Sequence, residues 1–305
     1  MNIKELQYVI KISEERSISG AAKKLFVSQS TLSHALNHIE QKLGTPLFER
    51  STIPLTQTYA GKLFVESAYK IITLNNELYQ KIQDVSDFRR GSFTIGVTHL
   101  AERYYLPLVL PQFRKKYPGV QINLKVASLD ELKTALLKNT LDFAIMLPFD
   151  NPHVAYKSLF DMDVILALPI DHPLCKNYTC KENDYPKLDL KQLANEDFLI
   201  LQQGRSLRKT AFEACLQAGF EPKVALEISN LDTAHALVAE GYGAAFLLDV
   251  ITYNAPKKDR VAYFRIKDLH FYQTFCLAYL KDNYLPKAVN EFICTAIKHS
   301  MPRLN

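Results

Sequence analysis

Residues 21–50 read AAKKLFVSQSTLSHALNHIEQKLGTPLFER, and this stretch decides the fold of the N-terminal part. Leu32, Leu36 and Ile39 recur at helical spacing within it, so the sequence predicts an amphipathic helix. Ser28 has the side chain of a good N-cap for that helix, and Gly44 is well suited to end it. Two shorter amphipathic helices are predicted before it, with a polar break around residues 16–17.

The outer face of the third helix is rich in short hydrogen-bonding side chains and carries no carboxylate before Glu40. Such a face can enter a DNA major groove, because these groups read base edges and no negative charge repels the phosphates. The short joint at residues 26–28 suits a helix-turn-helix, whose second helix reads DNA. From the pattern alone, an ordinary three-helix bundle with a solvated polar face remains the alternative. The side chains outside the apolar stripe are Ser30, Thr31, Ser33, His34, Asn37, His38 and Gln41.

Residues 21–61 resemble the winged helix-turn-helix of LysR-type transcriptional regulators. The matching positions are Ala21, Ala22, Leu25, Ser28, Gln29, Ser33, Ile39, Glu40, Leu43, Gly44, Leu47, Phe48, Arg50, Thr58, Ala60 and Gly61. Three residues depart from the family pattern: Ser30 replaces the usual Pro, Ile53 stands where the wing often has Arg, and Gln57 replaces a Leu.

The resemblance implies that Arg50 lies near a phosphate at the wing and that five residues of the third helix face double-stranded DNA. These five are Gln29, Ser30, Thr31, Ser33 and His34. Ser28 and Asn37 join this set from the N-cap position and the polar face of the helix. The predicted DNA-binding residues are Ser28, Gln29, Ser30, Thr31, Ser33, His34, Asn37 and Arg50. We therefore expect sequence-specific binding of promoter DNA by residues 1–58.

Residues 59–90 are predicted to form one long helix, since Gly61 is the only glycine or proline between residues 59 and 88. Side chains at alternating steps of four and three follow a heptad pattern, with Asn75 as a single polar member. A long helix packed on its own chain is the alternative, but the resemblance implies a linker helix that pairs two subunits. The expected partner is a second copy of the chain, as a homodimer or a homotetramer. The predicted dimerisation residues are Phe64, Ala68, Ile71, Asn75, Leu78 and Ile82.

Residues 91–305 alternate β-prone and helical segments, which predicts a parallel sheet covered on both faces. A single helix is expected at residues 100–116 and a less regular stretch at residues 148–197. The region resembles the effector domain of the same family, a periplasmic-binding-protein-like (type 2) pair of α/β lobes. In that architecture lobe I takes residues 91–161 and 267–300, and lobe II takes residues 162–266. The fold class is thus α/β with an all-α N-terminal part.

A small-molecule effector is expected between these lobes, beside strand ends and helix N-termini, where free N–H groups favour an anion. Six polar residues stand at such positions in the sequence. The predicted effector-binding residues are Thr98, His99, Ser128, Gln202, Gln203 and Asn230. Each of them could instead be a helix cap or a loop residue. His99 or Arg205 could supply the positive charge for a carboxylate or another anion.

Composition narrows the functional classes. The 305 residues allow about two domains, and the formal charge of +5 permits binding to a polyanion without requiring it. The five cysteines are odd in number and absent from the first half of the chain, so they do not indicate a disulfide framework. We expect neither a signal peptide nor a membrane span, and a cytoplasmic location.

An α/β ligand-binding or enzymatic domain tethered to DNA is the alternative function. No G-x-S-x-G motif occurs, and the G-x-G at Gly241 lacks its third glycine. His34 and His38 have metal-ligand spacing, but Ala35 stands where a zincin-type site needs Glu. We therefore predict a regulator that is not an enzyme and that has no cofactor and no metal site.

Overall fold

The computed structural model describes residues 1–86, 91–176, 178–179, 185–204, 206–281 and 283–299. The N-terminal part comprises α1 (Ile3–Glu15), α2 (Ile18–Lys24), α3 (Gln29–Leu43), β1 (Phe48–Glu49), β2 (Thr56–Gln57) and α4 (Tyr59–Ser86). Helices α1 to α3 bury their apolar faces in a small core that also contains Leu47 and Phe48 of the wing. The first turns of α4 pack on the same core, so the wing and the long helix are joined to the three-helix unit.

The C-terminal part is an α/β region. Its helices are α5 (His99–Tyr104), α6 (Leu106–Lys116), α7 (Leu129–Leu137), α8 (Ser206–Gln217), α9 (Leu231–Ala239) and α10 (Lys287–Lys298). Its first strands are β3 (Gly91–Val97), β4 (Val120–Val126), β5 (Phe143–Met146), β6 (Val154–Pro169) and β7 (Lys187–Leu188). The remaining strands are β8 (Asp197–Leu201), β9 (Lys223–Ile228), β10 (Ala244–Leu248), β11 (Val261–Ile266) and β12 (Tyr272–Leu280).

Strand β6 passes through two sheets and so connects two lobes. The main strand order is β4-β3-β5-β12-β6-β10-β8-β9, with β11 also beside β6. The part of β6 up to Asp163 pairs with β12, and the part from Val164 pairs with β10 and β11. The exchange of partners lies two residues beyond the lobe boundary that we placed after residue 161. The two lobes are therefore joined by a short crossing segment, and a ligand cleft can form between them.

Two expectations from the sequence are corrected here. The sheet is mixed, because β6 runs antiparallel to β10, β11 and β12. The single helix expected at residues 100–116 is two helices, α5 and α6, which meet at Tyr105. Pro107 has no N–H to donate to the carbonyl group four residues earlier, so a continuous helix would lose a hydrogen bond there.

Aromatic rings form the centre of the first lobe. Phe93 of β3 lies between Phe113 of α6, Phe143 of β5 and Phe292 of α10, with ring centroids 5.7 to 5.8 Å apart. All four rings meet on one face of the sheet, two of them from strands and two from helices. This packing fixes β3 and β5, and Thr98 and Leu147, which follow these two strands, line the cleft. Among the described residues, no helix is both long and apolar enough to cross a membrane.

Candidate DNA interface and effector cleft

Helix α3 is built to present a polar face at a fixed angle. The Ser28 hydroxyl accepts a hydrogen bond from the Thr31 backbone N–H at 3.1 Å and caps the helix. Gly44 ends it with a φ of 71°, a left-handed conformation that glycine adopts without strain. Leu32 and Leu36 are fully buried below, so the opposite side of the helix is turned to solvent.

All seven helix residues of the predicted DNA-binding set lie on or beside this outer face. Five of them are exposed and the other two, Ser33 and Asn37, are half-buried. At the N-terminus, the Ser28 hydroxyl lies 2.8 Å from the Ser30 hydroxyl and 2.7 Å from that of Thr31. This hydroxyl cluster lies at the positive end of the helix dipole, where a phosphate oxygen binds favourably.

Arg50, predicted to lie near a phosphate, holds the wing to α3. Its guanidinium donates to the Glu40 carboxylate at 2.7 Å and to the Asn37 side-chain carbonyl. The other Glu40 oxygen accepts from the Leu47 backbone N–H at 2.7 Å, and Glu40 itself is buried. A buried carboxylate bound in this way needs its partners, since a charge left unpaired in the interior is costly. The guanidinium remains half-exposed beside α3, where a phosphate can also reach it.

Sequence reasoning did not assign this clamping role to Glu40. The available signal was a lone carboxylate on a helix that is otherwise free of acidic residues, ten positions before an arginine.

The first turns of α4 face their own chain, and two of the six predicted dimerisation residues pack there. Ala68 is 1% exposed and lies in the core with α1, and Phe64 packs against the same core. The start of α4 has this position because the three-helix unit would otherwise expose its apolar side. Ile71, Leu78 and Ile82 are exposed, and Asn75 is half-buried. The outward seam therefore begins at Ile71.

Four further apolar side chains of α4 are exposed but were not in the predicted seam. They are Tyr59, Leu63, Leu74 and Tyr79. Leu74 lies between Ile71 and Leu78 at the spacing of three and four that a heptad requires. An unpartnered stripe of large apolar side chains on an otherwise polar helix is typical of a protein interface.

The six predicted effector-binding residues line one cavity of about 610 Å³ between the lobes. Strand ends of both lobes bring them together, although residues 98–128 and 202–230 are far apart in sequence. Apolar side chains cover much of the remaining wall. These are Leu100, Leu129, Leu147, Leu201, Leu207, Leu231, Leu248 and Phe275. A cavity of this size, mostly apolar with a few convergent polar groups, is typical of a small-molecule site.

Three of the six residues also cap helices, which was the alternative role. Thr98 caps α5, Ser128 caps α7 and Asn230 caps α9, each accepting a hydrogen bond from a backbone N–H of the first turn. The shortest of these bonds joins the Thr233 N–H to the Asn230 side-chain oxygen Oδ1 at 2.8 Å. Several helix N-termini therefore point into the cavity together, and their dipoles favour a negatively charged group.

Carboxylates in the cavity wall are already partnered. Glu131 accepts from the Ser128 hydroxyl at 2.7 Å and from the Ser128 N–H at 2.9 Å, and these bonds lower its pKa. Asp130 lies 3.1 Å from the ammonium of Lys133. His99 is exposed and lies 3.4 Å from Glu102. Arg205, the other predicted source of positive charge, lies outside the described residues.

Two contacts across the cavity, which sequence reasoning missed, join the lobes. The Tyr104 hydroxyl on α5 donates to the Asp232 carboxylate on α9 at 2.5 Å, and Arg103 lies 3.3 Å from the same carboxylate oxygen. Burial and this carboxylate together raise the pKa of Tyr104, so the phenol remains a donor. The Gln273 amide on β12 donates to the Ser206 hydroxyl at 3.1 Å. Opening the cleft would break these bonds.

Comparison with known proteins identifies both domains. Residues 3–62 match the family model of the bacterial regulatory helix-turn-helix protein, lysR family, and residues 86–300 match that of the LysR substrate binding domain. The transcriptional dual regulator GltC of Bacillus subtilis (strain 168) is 31% identical over 252 residues, which are 81% of this chain and 80% of GltC. The HTH-type regulator YcgK of the same organism is 27% identical over 96% of this chain and 93% of its own length.

A solved structure shows the same architecture at full length. The crystal structure of CbnR complexed with its target DNA superimposes with a TM-score of 0.67 at 22% identity, covering 98% of this chain and all of CbnR. Its low identity supports the fold alone. With a DNA-reading helix clamped to a wing, an exposed linker helix and a two-lobed cleft in one chain, this protein belongs to the LysR family of transcriptional regulators.

Proposed function

We propose that the protein binds promoter DNA through α3 as a homodimer, and that an anionic effector in the cleft changes the geometry of the pair. The observation that carries this proposal is the polar face of α3, held rigidly to the wing by Arg50 and Glu40. Rigid presentation matters because base-edge hydrogen bonds are lost when a reader helix shifts by an ångström or more. The action takes place in the cytoplasm, because its partner DNA lies there.

Footprinting on the DNA upstream of the protein's own gene tests the first part. The purified protein should protect two half-sites about one helical turn or a multiple apart. Ser33→Arg places a bulky side chain in the middle of the reading face and should abolish this protection. Glu66→Ala, at an exposed position of α4, is the control and should bind as the unchanged protein does. Absence of protection there and on randomised DNA would contradict the proposal.

Dimer formation depends in this proposal on the exposed stripe of α4. Leu78→Asp introduces a charge at its centre, so the pair should dissociate at micromolar concentration in sedimentation velocity runs. Glu66→Ala lies about a third of a turn away around the helix and should leave the dimer intact. A Leu78→Asp protein that sediments as the unchanged dimer would place the interface elsewhere.

The effector proposal rests on the convergence of helix N-termini and on carboxylates that are already partnered. A panel of small carboxylates and their neutral amides should separate by thermal shift, with stabilisation confined to the anions. Ser128→Ala removes a polar group from the wall and should weaken the response. Binding of an amide as strong as that of its carboxylate would show that the anion preference is wrong.

We propose no catalytic role for the cleft. Three of its polar side chains, those of Thr98, Ser128 and Asn230, cap helices. A ligand that stabilises the protein should be recovered unchanged after prolonged incubation, as chromatography with mass detection would show.

A further inference from the structure

The tip of the wing carries a fully exposed isoleucine. Ile53 is 101% exposed, between β1 and β2. A single exposed apolar side chain on a protein surface needs no explanation by itself. Its position does, because the wing that carries it is bound to the DNA-reading helix.

The wing tip is braced from several sides. Thr52 donates to the Glu49 carbonyl at 3.0 Å, and its hydroxyl lies 2.9 Å from that of Thr56 across the hairpin. The Leu55 N–H donates to the Arg16 carbonyl at 2.9 Å, which ties the tip to the turn after α1. Ile53 is therefore presented by a tip that is anchored on both sides.

The tip of the wing carries no positive charge that could attract a phosphate. Residues 51–57 read STIPLTQ and include no ionisable side chain. The nearest cation in the sequence, Arg50, is held beside α3 by Glu40 and Asn37, so a phosphate that it contacts lies at α3 and not at the tip. Attraction to the phosphates therefore does not account for what this tip contacts.

The reach of the wing allows Ile53 to lie beyond the groove that α3 enters. Arg50 lies against the reading face of α3, and three further residues span at most about 10 Å. The major groove is about 12 Å wide, so its phosphate backbone lies about 6 Å from the groove centre and the minor groove follows directly. The tip can therefore cross one backbone and meet the minor groove.

We infer that Ile53 acts as an apolar wedge, entering the minor groove beside the major groove that α3 reads and favouring a base step that unstacks easily. Apolar side chains inserted there unstack a step and kink the duplex towards the major groove. Pyrimidine–purine steps such as TA deform most readily, and A-tracts are stiff. The inference rests on the proposed docking of α3. It assigns to Ile53 a preference for certain base steps at a place in the DNA where no side chain contacts a base edge.

DNA bending tests the wedge directly. Duplexes carrying the footprinted site, with TA or AA at the step facing the wing, are compared by circular-permutation electrophoresis and by titration. The unchanged protein should bend the TA duplex and bind it about tenfold more tightly than the AA duplex. Ile53→Ser should lose the bend and most of this preference. Ile53→Met, which restores a long apolar side chain, should recover both.

A charged variant separates the wedge from phosphate binding. Ile53→Arg adds a cation, so the slope of log K against log salt should steepen by about 0.9 without restoring the preference for TA. Tyr242→Ser removes a half-exposed aromatic side chain from the effector domain and should change neither bending nor slope. Because Ile53 is on the surface, unchanged circular dichroism and melting of its variants will show that they fold.

The outcomes separate two failures. If Ile53→Ser bends and discriminates the two duplexes as the unchanged protein does, the wedge is wrong while DNA reading by α3 stands. If the unchanged protein does not bind the site and Ser33→Arg has no effect, the docking of α3 is wrong.

Discussion

Asp249 is a buried carboxyl group that should make the protein less stable as the pH rises. It follows β10, is 6% exposed, and its pKa is raised from 3.8 to about 7. Burial is the main cause, and the neighbouring Asp163 carboxylate adds to it. Backbone N–H groups of Asp163 and Val250 and the charge of Arg265 act against this rise without cancelling it. The folded protein therefore keeps a proton at a pH where the unfolded chain has lost it.

The sign and size of the effect follow from linkage. Below pH 3.8 both states hold the proton, and above about pH 7 neither does, so the loss of stability occurs between these values. Each pH unit in this window lowers the free energy of unfolding by about 1.4 kcal/mol. Between pH 5 and pH 8 the penalty from Asp249 should reach about 3 kcal/mol.

Asp249→Asn tests this reasoning, since the amide has the shape of the carboxyl group but does not ionise. Urea unfolding of both proteins is followed by far-UV circular dichroism at pH 5 and pH 8. The variant should gain about 3 kcal/mol relative to the unchanged protein on going from pH 5 to pH 8. Any constant cost of the substitution cancels in this comparison. If both proteins lose stability in parallel over that range, Asp249 does not carry the proton.

Three further substitutions or modifications give clear outcomes. Gly61→Ala would place a Cβ 2.0 Å from the Leu47 carbonyl oxygen, and should lower the free energy of unfolding of the DNA-binding part by about 2 kcal/mol, measured in urea; an unchanged midpoint would show that the backbone moves aside. Asn230→Ala removes the cap of α9 and should cost about 1 kcal/mol, seen as a lower melting temperature; no change would mean that water replaces the cap. Iodoacetamide at pH 8 should alkylate the exposed Cys294 before the buried Cys175, because burial raises the pKa of Cys175 to about 11, and peptide mass spectrometry would reveal equal rates if this is wrong.

Local structure was predictable wherever the signal lies within one element. The alternation of β-prone and helical segments expected for residues 91–305 is observed, for example, in β4 followed by α7 and in α9 followed by β10. In α7, for example, Ser128 caps the helix and apolar residues follow at steps of three and four. These two local features specify a helix without reference to the rest of the chain. The polar face of α3 was likewise readable, because helical spacing alone fixes which side chains share a side.

Strand β6 escaped detection because its partners lie far away in the chain. Phe160 pairs with Phe275, and Val164 with Leu248. No local pattern states which of two sheets a residue joins, so the exchange near Asp163 and the mixed direction of the sheet came only from the assembled lobes. The packing of Ala68 in the core with α1 was unreadable for a similar reason. Heptad spacing shows that a stripe is apolar, and only packing shows whether α1 or another subunit covers it.

The sequence by itself determined that this chain has a DNA-reading helix, a long linker helix and an α/β effector region, since each depends on periodicity, caps and short motifs. Only the tertiary structure decided that Arg50 clamps the wing through Glu40 and that Tyr104 meets Asp232 across the cleft. Tyr104 and Asp232 are 128 positions apart, and their contact depends on how two lobes fold around one crossing strand. Periodicity and capping act over a few residues, whereas the sites of this protein form where distant segments pack together.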